Sequence, residues 1–135
     1  METEIIKKMK KVISTKKSPK AIGPYSQAIL SENTLYCSGQ IAINPKTGEL
    51  ILSSISEETH QVMKNIKHVL TAANTSLEDV VFVRIYLVNF QDFDKMNTVY
   101  ESYFASNKLP ARTCIGVSGL AVGASVEIDL IAKVV

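Results

Sequence analysis

The sequence predicts an α+β domain: a mixed six-stranded sheet with two helices on one face. Three observations point there. Six short segments read as strands, and two stretches with helical apolar spacing interrupt them in the order ββ(β)-α-β-α-β-β. Each helix follows a strand, so both can fold back onto the same side of one sheet. The chain has 135 residues, 46% apolar and 21% charged, which is the size and composition of one ordinary globular domain.

The elements follow in order. Val12 to Thr15 reads as a first short strand. Lys16 to Pro24 is a connector with two prolines and a glycine. Ser26–Ser31 and Thr34–Ile43 read as strands around a tight Glu32-Asn33 turn. Asn44-Pro45-Lys46-Thr47-Gly48 is turn chemistry, with proline presetting one φ and glycine supplying a positive one. Ser54 or Ser56 can cap a helix with Glu57 and Glu58 in its first turn. Val62, Ile66, Val69, Leu70 and Ala73 form its apolar stripe, and Asn74 is a left-handed stop. Val80–Val88 is a strong strand whose odd positions, Val81, Val83, Ile85 and Leu87, are all aliphatic. Asp92 can cap a second helix with the stripe Phe93, Met96, Tyr100, Tyr103 and Phe104. Arg112–Val117 and Ser125–Val134 are the last two strands; in the latter Val126, Ile128, Leu130, Ala132 and Val134 alternate with Glu127, Asp129, Ile131 and Lys133. One sheet face remains uncovered and carries Phe82, Tyr86 and Ile131, which calls for burial by an oligomer partner.

Charge is uneven. Residues 1–20 hold seven lysines against two glutamates, whereas residues 21–135 hold eight basic and eleven acidic side chains. We therefore divide the chain into a lysine-rich N-terminal arm, residues 1–11, and a single domain, residues 12–135. The slightly acidic body lacks the basic stripe of a dedicated nucleic-acid binder, and the arm reads as a solvated terminus. The apolar run Val80–Val83 is far too short to cross a bilayer, so no membrane partner is expected. Cys37 and Cys114 form no Cys-x-x-Cys pair and read as buried reduced thiols. The N-terminus has no apolar signal region and no arginine, which makes the cytoplasm the expected location.

Phosphate-binding, dinucleotide and nucleophile-elbow motifs are absent. His60 and His68 are eight residues apart, too far for one metal without a third ligand, and read as exposed helix positions. Four places can carry chemistry. The rigid turn Ala21–Ala28 delivers Tyr25, either to a site or to the core. Cys37-Ser38-Gly39-Gln40 breaks a strand with a glycine, a bulge or a point of close approach. Asn97 lies in the second helix, lining a site or facing solvent. Arg112 and Glu127 can project near one face if the last two strands pair antiparallel. An arginine fork matches a carboxylate, and a glutamate beside it can deprotonate water. The competing reading of that pair is an ordinary cross-strand ion pair.

Six segments occur in order: Ala-Ile-Gly-Pro-Tyr-Ser-Gln-Ala (21–28), Ser-Gly-Gln-Ile (38–41), Asn-Pro-Lys-Thr-Gly-Glu (44–49), Asn-Thr-Val-Tyr (97–100), Pro-Ala-Arg-Thr-Cys (110–114) and Val-Glu-Ile-Asp (126–129). Together, from about Val12 to Ala132, they resemble the RidA (YjgF-type) reactive intermediate deaminases, a family also described as perchloric-acid-soluble endoribonucleases. The resemblance implies a chorismate-mutase-like fold, a homotrimer with sites between subunits, and no cofactor and no metal. It implies hydrolysis of enamines and imines, such as 2-aminoacrylate and 2-iminopropanoate, to 2-oxo acids and ammonia. It implies catalytic roles for Glu127 (water activation), Arg112 (substrate carboxylate) and Tyr25, and a pocket lined by Ser38, Gly39, Asn97 and Cys114. Ser18 stands where the family usually has alanine, Ala121-Val122 replaces a common Pro-Lys, and Asp129 replaces a second glutamate. The alternatives are an endoribonuclease or translation inhibitor, and a non-catalytic trimer that binds small ligands. The expected partners are a small imine or 2-oxo acid and further copies of the chain, not nucleic acid.

Overall fold

β1 (Lys11–Ile13), β2 (Ala28–Ser31) and β3 (Thr34–Gln40) form an antiparallel meander in a computed structural model that describes residues 10–135. Residues 1–9 of the expected arm lie outside the described residues, and Lys11 already pairs with Leu30. The Glu32-Asn33 turn forms as expected, with Glu32 at φ 54°. β3 pairs antiparallel with β6 (Val126–Lys133), β6 pairs antiparallel with β4 (Val80–Leu87), and β4 pairs parallel with β5 (Ala111–Gly116). The sheet order is therefore β1-β2-β3-β6-β4-β5, mixed and six-stranded as the sequence predicts.

One expectation fails here. β5 and β6 do not pair, because β4 lies between them. The chain crosses one face of the sheet between β4 and β5, so β5 returns parallel to β4, as a long crossover requires. β6 then fills the place between β3 and β4. Its alternating burial over eight residues suits a strand paired on both sides, while the mostly exposed β5 suits an edge.

The two helices are α1 (Ile55–Ala72) and α2 (Phe93–Glu101). Ser54 caps α1, its side chain accepting the Glu57 N–H at 3.1 Å, and Asn74 ends the segment at φ 60°. The stripe Val62, Ile66, Val69, Leu70 and Ala73 is buried. The start of α2 differs from expectation. A 3₁₀ turn, Phe90–Asp92, precedes it, and the side chain of Asn89, not Asp92, accepts the capping N–H, from Gln91 at 3.0 Å. Tyr103 and Phe104 lie past the helix end yet still pack on the core.

Val83, Ile85 and Leu87 of β4 meet Ile128, Leu130 and Val126 of β6 in one core beneath both helices. Val81 departs from the expected alternation and is 43% exposed, because a bulge between Val80 and Phe82 shifts the phase of β4. The other face has no helix over it. There Val12, Ile29, Tyr36, Ile131, Phe82 and Ala111 stand side by side in register across all six strands. Val12 is 58% and Tyr36 50% exposed, an apolar row of the kind the uncovered face leads one to expect. Among the described residues no helix is long and apolar enough to cross a membrane.

Candidate active site

The predicted site residues fall into two groups on opposite faces of the sheet. Glu127 pairs with Tyr86 on the open face, and Arg112 pairs with Val83 on the helix face, one strand further out. Arg112 and Glu127 therefore cannot meet within one chain, and the expected shared face is corrected by the strand order. The simple cross-strand ion pair is excluded by the same register.

The first group surrounds a depression of about 360 Å³ lined by Ile22, Tyr25, Ser38, Gly39, Ala121 and Glu127, with Arg84 and Asp129 at its edge. The connector that carries Tyr25 is pinned from beneath by Gln27, which is 5% exposed. Its Nε2 donates to the carbonyls of Thr15 at 3.0 Å and Pro19 at 2.8 Å, and its Oε1 accepts the Thr15 N–H at 2.7 Å. Tyr25 is 46% exposed and so is not a core residue; its hydroxyl accepts the Ile22 N–H at 3.2 Å. Ser38 Oγ donates to the Ser26 carbonyl at 2.6 Å and ties β3 to the base of that connector.

Gly39 sits in the bulge of β3 between Cys37 and Gln40, as the sequence pattern allows. The bulge serves close approach. A methyl group on Gly39 would lie 2.8 Å from the Glu127 carboxyl carbon, so the carboxylate rests directly on the glycine. Burial first, and then the neighbouring Asp129 carboxylate, pushes the Glu127 carboxyl above the ordinary carboxylate range. A glutamate so shifted can both take and return a proton nearer neutral pH. Next to it the turn Ala121–Gly123 holds Val122 at φ 50°, a left-handed position that a β-branched residue rarely takes.

The second group lies at the end of α2, around a recess of about 290 Å³ lined by Asn97, Tyr100, Glu101, Leu109, Pro110 and Arg112. The Arg112 guanidinium lies over the Tyr100 ring, 4.9 Å from its centroid, and 5.7 Å from that of Phe93. At such distances the guanidinium charge is attracted to the ring faces. Among the described residues Arg112 joins no ion pair. Asn97 Oδ1 and the Tyr100 hydroxyl are buried beside it with no hydrogen-bond partner. Burial pushes the Tyr100 hydroxyl up to about 12 against the pull of Arg112. Cys114, on the Arg112 face, is half-buried, and burial raises its thiol; the buried Cys37 thiol is pushed up to about 12. Neither is an activated nucleophile. Among the described residues no three His, Cys, Asp or Glu side chains converge to hold a metal ion.

Sequence reasoning did not reach three features: the Gln27 clamp, the Tyr100–Phe93 shelf under Arg112, and the link from Asp129 to Arg84 and Tyr86. Tyr100 was visible in an apolar stripe and in the Asn97–Tyr100 segment, and Asp129 as the acid that replaces a second glutamate, neither with its partners.

A mixed six-stranded sheet with two helices on one face, a glutamate resting on a glycine and an arginine over an aromatic ring define a class of small α+β proteins. A sequence model described as Endoribonuclease L-PSP matches residues 15–134. A RutC family protein of Pyrococcus horikoshii is 51% identical over 92% of this chain and 98% of its own. The human 2-iminobutanoate/2-iminopropanoate deaminase is 42% identical over 92% of this chain and 90% of its own. A Yersinia pestis structure of the conserved Rid protein family superposes with a TM-score of 0.91 at 47% identity, covering 93% of this chain and 100% of that one. This chain belongs to the Endoribonuclease L-PSP family, the Rid family of reactive intermediate deaminases.

Proposed function

We propose that the protein hydrolyses small amino-acid-derived enamines and imines, such as 2-aminoacrylate and 2-iminopropanoate, to 2-oxo acids and ammonia. The observation that carries this reading is the pair of half-sites. One offers an arginine that lies over an aromatic ring and joins no ion pair among the described residues, and the other a glutamate whose proton affinity is raised. Because the two lie on opposite faces of one chain, a complete site needs the fork of one copy beside the glutamate of another. The apolar row across the open face supports a symmetric assembly, here a homotrimer, that buries it. Relatives named as 2-iminobutanoate/2-iminopropanoate deaminases, such as the human protein at 42% identity, support the reaction class.

In this mechanism an enamine first takes a proton at its terminal carbon and becomes the iminium. Arg112 binds the substrate carboxylate through two parallel N–H bonds and fixes the C=N carbon beside a water. Glu127 takes a proton from that water as its oxygen bonds to the carbon, giving a carbinolamine. The proton returns from Glu127 to the nitrogen, the C–N bond breaks with its electrons leaving on ammonia, and the hydroxyl gives its proton back to Glu127 as it becomes the 2-oxo carbonyl; Glu127 then releases that proton to the departing ammonia. Tyr25 closes the Glu127 side of the cleft. Ser38 and Gly39 line that side, and Asn97 and Cys114 the other.

RNA cleavage fits these residues less well. The body of the chain carries eight basic against eleven acidic side chains. The two histidines lie elsewhere, His60 Nδ1 on the Tyr103 hydroxyl at 2.9 Å and His68 Nδ1 on the Lys17 carbonyl at 2.8 Å. The deciding experiment measures 2-oxo acid release from freshly generated 2-aminoacrylate, with native mass spectrometry on the same sample. Accelerated release by a trimer of the 14.8 kDa chain is expected. No acceleration over buffer overturns the reaction, and an active monomer overturns the shared site.

A further inference from the structure

β6 lies between β3 and β4, and its open face presents two carboxylates, Glu127 and Asp129, two residues apart. Strand geometry alone places their Cα atoms about 7 Å apart. Two like charges that close, left free, would splay and solvate themselves. Here they lean in opposite directions. Asp129 turns onto β4, where Oδ1 accepts Arg84 Nε–H at 2.7 Å and Oδ2 accepts the Tyr86 hydroxyl at 2.9 Å. Glu127 turns the other way, onto Gly39 of β3. The Asp129 side chain is 16% exposed and both its oxygens are engaged, so its charge has a fixed position.

We propose that Asp129 is a positioning residue: anchored on β4 by Arg84 and Tyr86, it keeps the Glu127 carboxylate seated on Gly39 and sets the pH range over which Glu127 exchanges its proton. This rests on the reading of Glu127 as the proton-transferring group. Within one chain the other titratable groups around Glu127 are Tyr25 and Lys20 from the connector, Arg84 and Tyr86 from β4, and the Cys37 thiol from β3, beside the neutral Ser38, Gly39 and Gln40; the proposed assembly adds Arg112 of a second copy. Asp129 is therefore the one other carboxylate among the described residues at this site. Burial contributes first to the raised Glu127 carboxyl, and Asp129 second. Arg84 partly offsets the Asp129 charge through its ion pair. Tyr86, itself raised by burial and by its bond to Asp129, stays protonated and donates.

The test follows the Glu127 carboxyl resonance by NMR across pH in the assembled wild-type protein, in Asp129→Asn and in Asp129→Glu. The acid limb of kcat/KM is measured in parallel. Removing the fixed negative charge lets Glu127 ionise at lower pH. The midpoint in Asp129→Asn drops, the acid limb moves with it, and Asp129→Glu restores both. An unmoved midpoint in a folded Asp129→Asn protein overturns the inference. If that variant does not assemble, Asp129→Ser, which also removes the charge with a small neutral side chain, reads the same coupling. An unmoved midpoint there overturns it equally. The resonance titrates without turnover, so a wild-type protein lacking imine hydrolysis refutes the proposed reaction while the midpoint still decides the role of Asp129.

Discussion

Gly39→Ala separates the fold from the chemistry at a single methyl group. The added carbon would lie 2.8 Å from the Glu127 carboxyl carbon and 3.1 Å from its Cγ. Ordinary carbon contacts need about 3.5–4.0 Å, so the carboxylate must retreat by about 1 Å. Gly39 has no left-handed φ, so alanine introduces no backbone strain. Restricting the unfolded chain gains about 0.4–1 kcal/mol. Moving the end of a half-exposed side chain costs a similar amount, so the stability change stays within about 1 kcal/mol, or roughly 4 °C in Tm. Activity behaves differently. Misplacing a reacting group by about 1 Å costs about a hundredfold, and losing a general base altogether costs about 10²–10⁴. Turnover of freshly generated 2-aminoacrylate should therefore fall at least about a hundredfold on that scale. On the proposed reading pyruvate is held by Arg112 and not by Glu127, so its binding should hold. The assay is 2-oxo acid release beside a thermal melt and a pyruvate titration. A well-folded Gly39→Ala protein with activity near wild type would refute the seating of Glu127 on Gly39 as a catalytic requirement.

Three further outcomes are expected. Arg112→Lys keeps the charge but loses the fork, so pyruvate should bind more weakly and activity should fall by about two to four powers of ten, as read by calorimetric titration and the same release assay. Glu58 is 3% exposed, accepts the Ser125 N–H at 3.3 Å, and is raised by burial; the folded state thus favours its protonated form, and its contribution to stability is present at low pH and lost as pH rises through the folded value. Glu58→Gln should accordingly raise Tm near neutral pH and change it little near pH ~4, a contrast that melts at the two pH values check. Val122 at φ 50° sits where asparagine is at ease, so Val122→Asn should stabilise the chain by about 1 kcal/mol in urea titrations.

Much of this architecture was legible in the chain because its signals are local. The period-two pattern from Val126 to Ala132 places those residues inside. The α1 stripe, the cap at Ser54 or Ser56 and the Asn74 stop each act within a turn or two of helix, so spacing places them, and the structure chooses Ser54. The Tyr25 turn, the Gly39 interruption, and the Arg112 and Glu127 positions were likewise visible as residue types at marked places. Phase within β4 was less so, because one bulge near Val80 turns Val81 outward and no local pattern announces it.

What only the tertiary structure decided is who lies next to whom. Neighbouring strands in sequence need not pair in space. The insertion of β6 between β3 and β4 follows from burying its apolar face against partners on both sides, a free-energy balance over the whole sheet. That one choice puts Arg112 and Glu127 on opposite faces, seats Glu127 on Gly39 of β3, and hands Asp129 to Arg84 and Tyr86 of β4. Sequence determines which side chains carry charge and how they alternate along each strand. Long-range strand order, set by packing and not by any local propensity, determines which of those charges can act together.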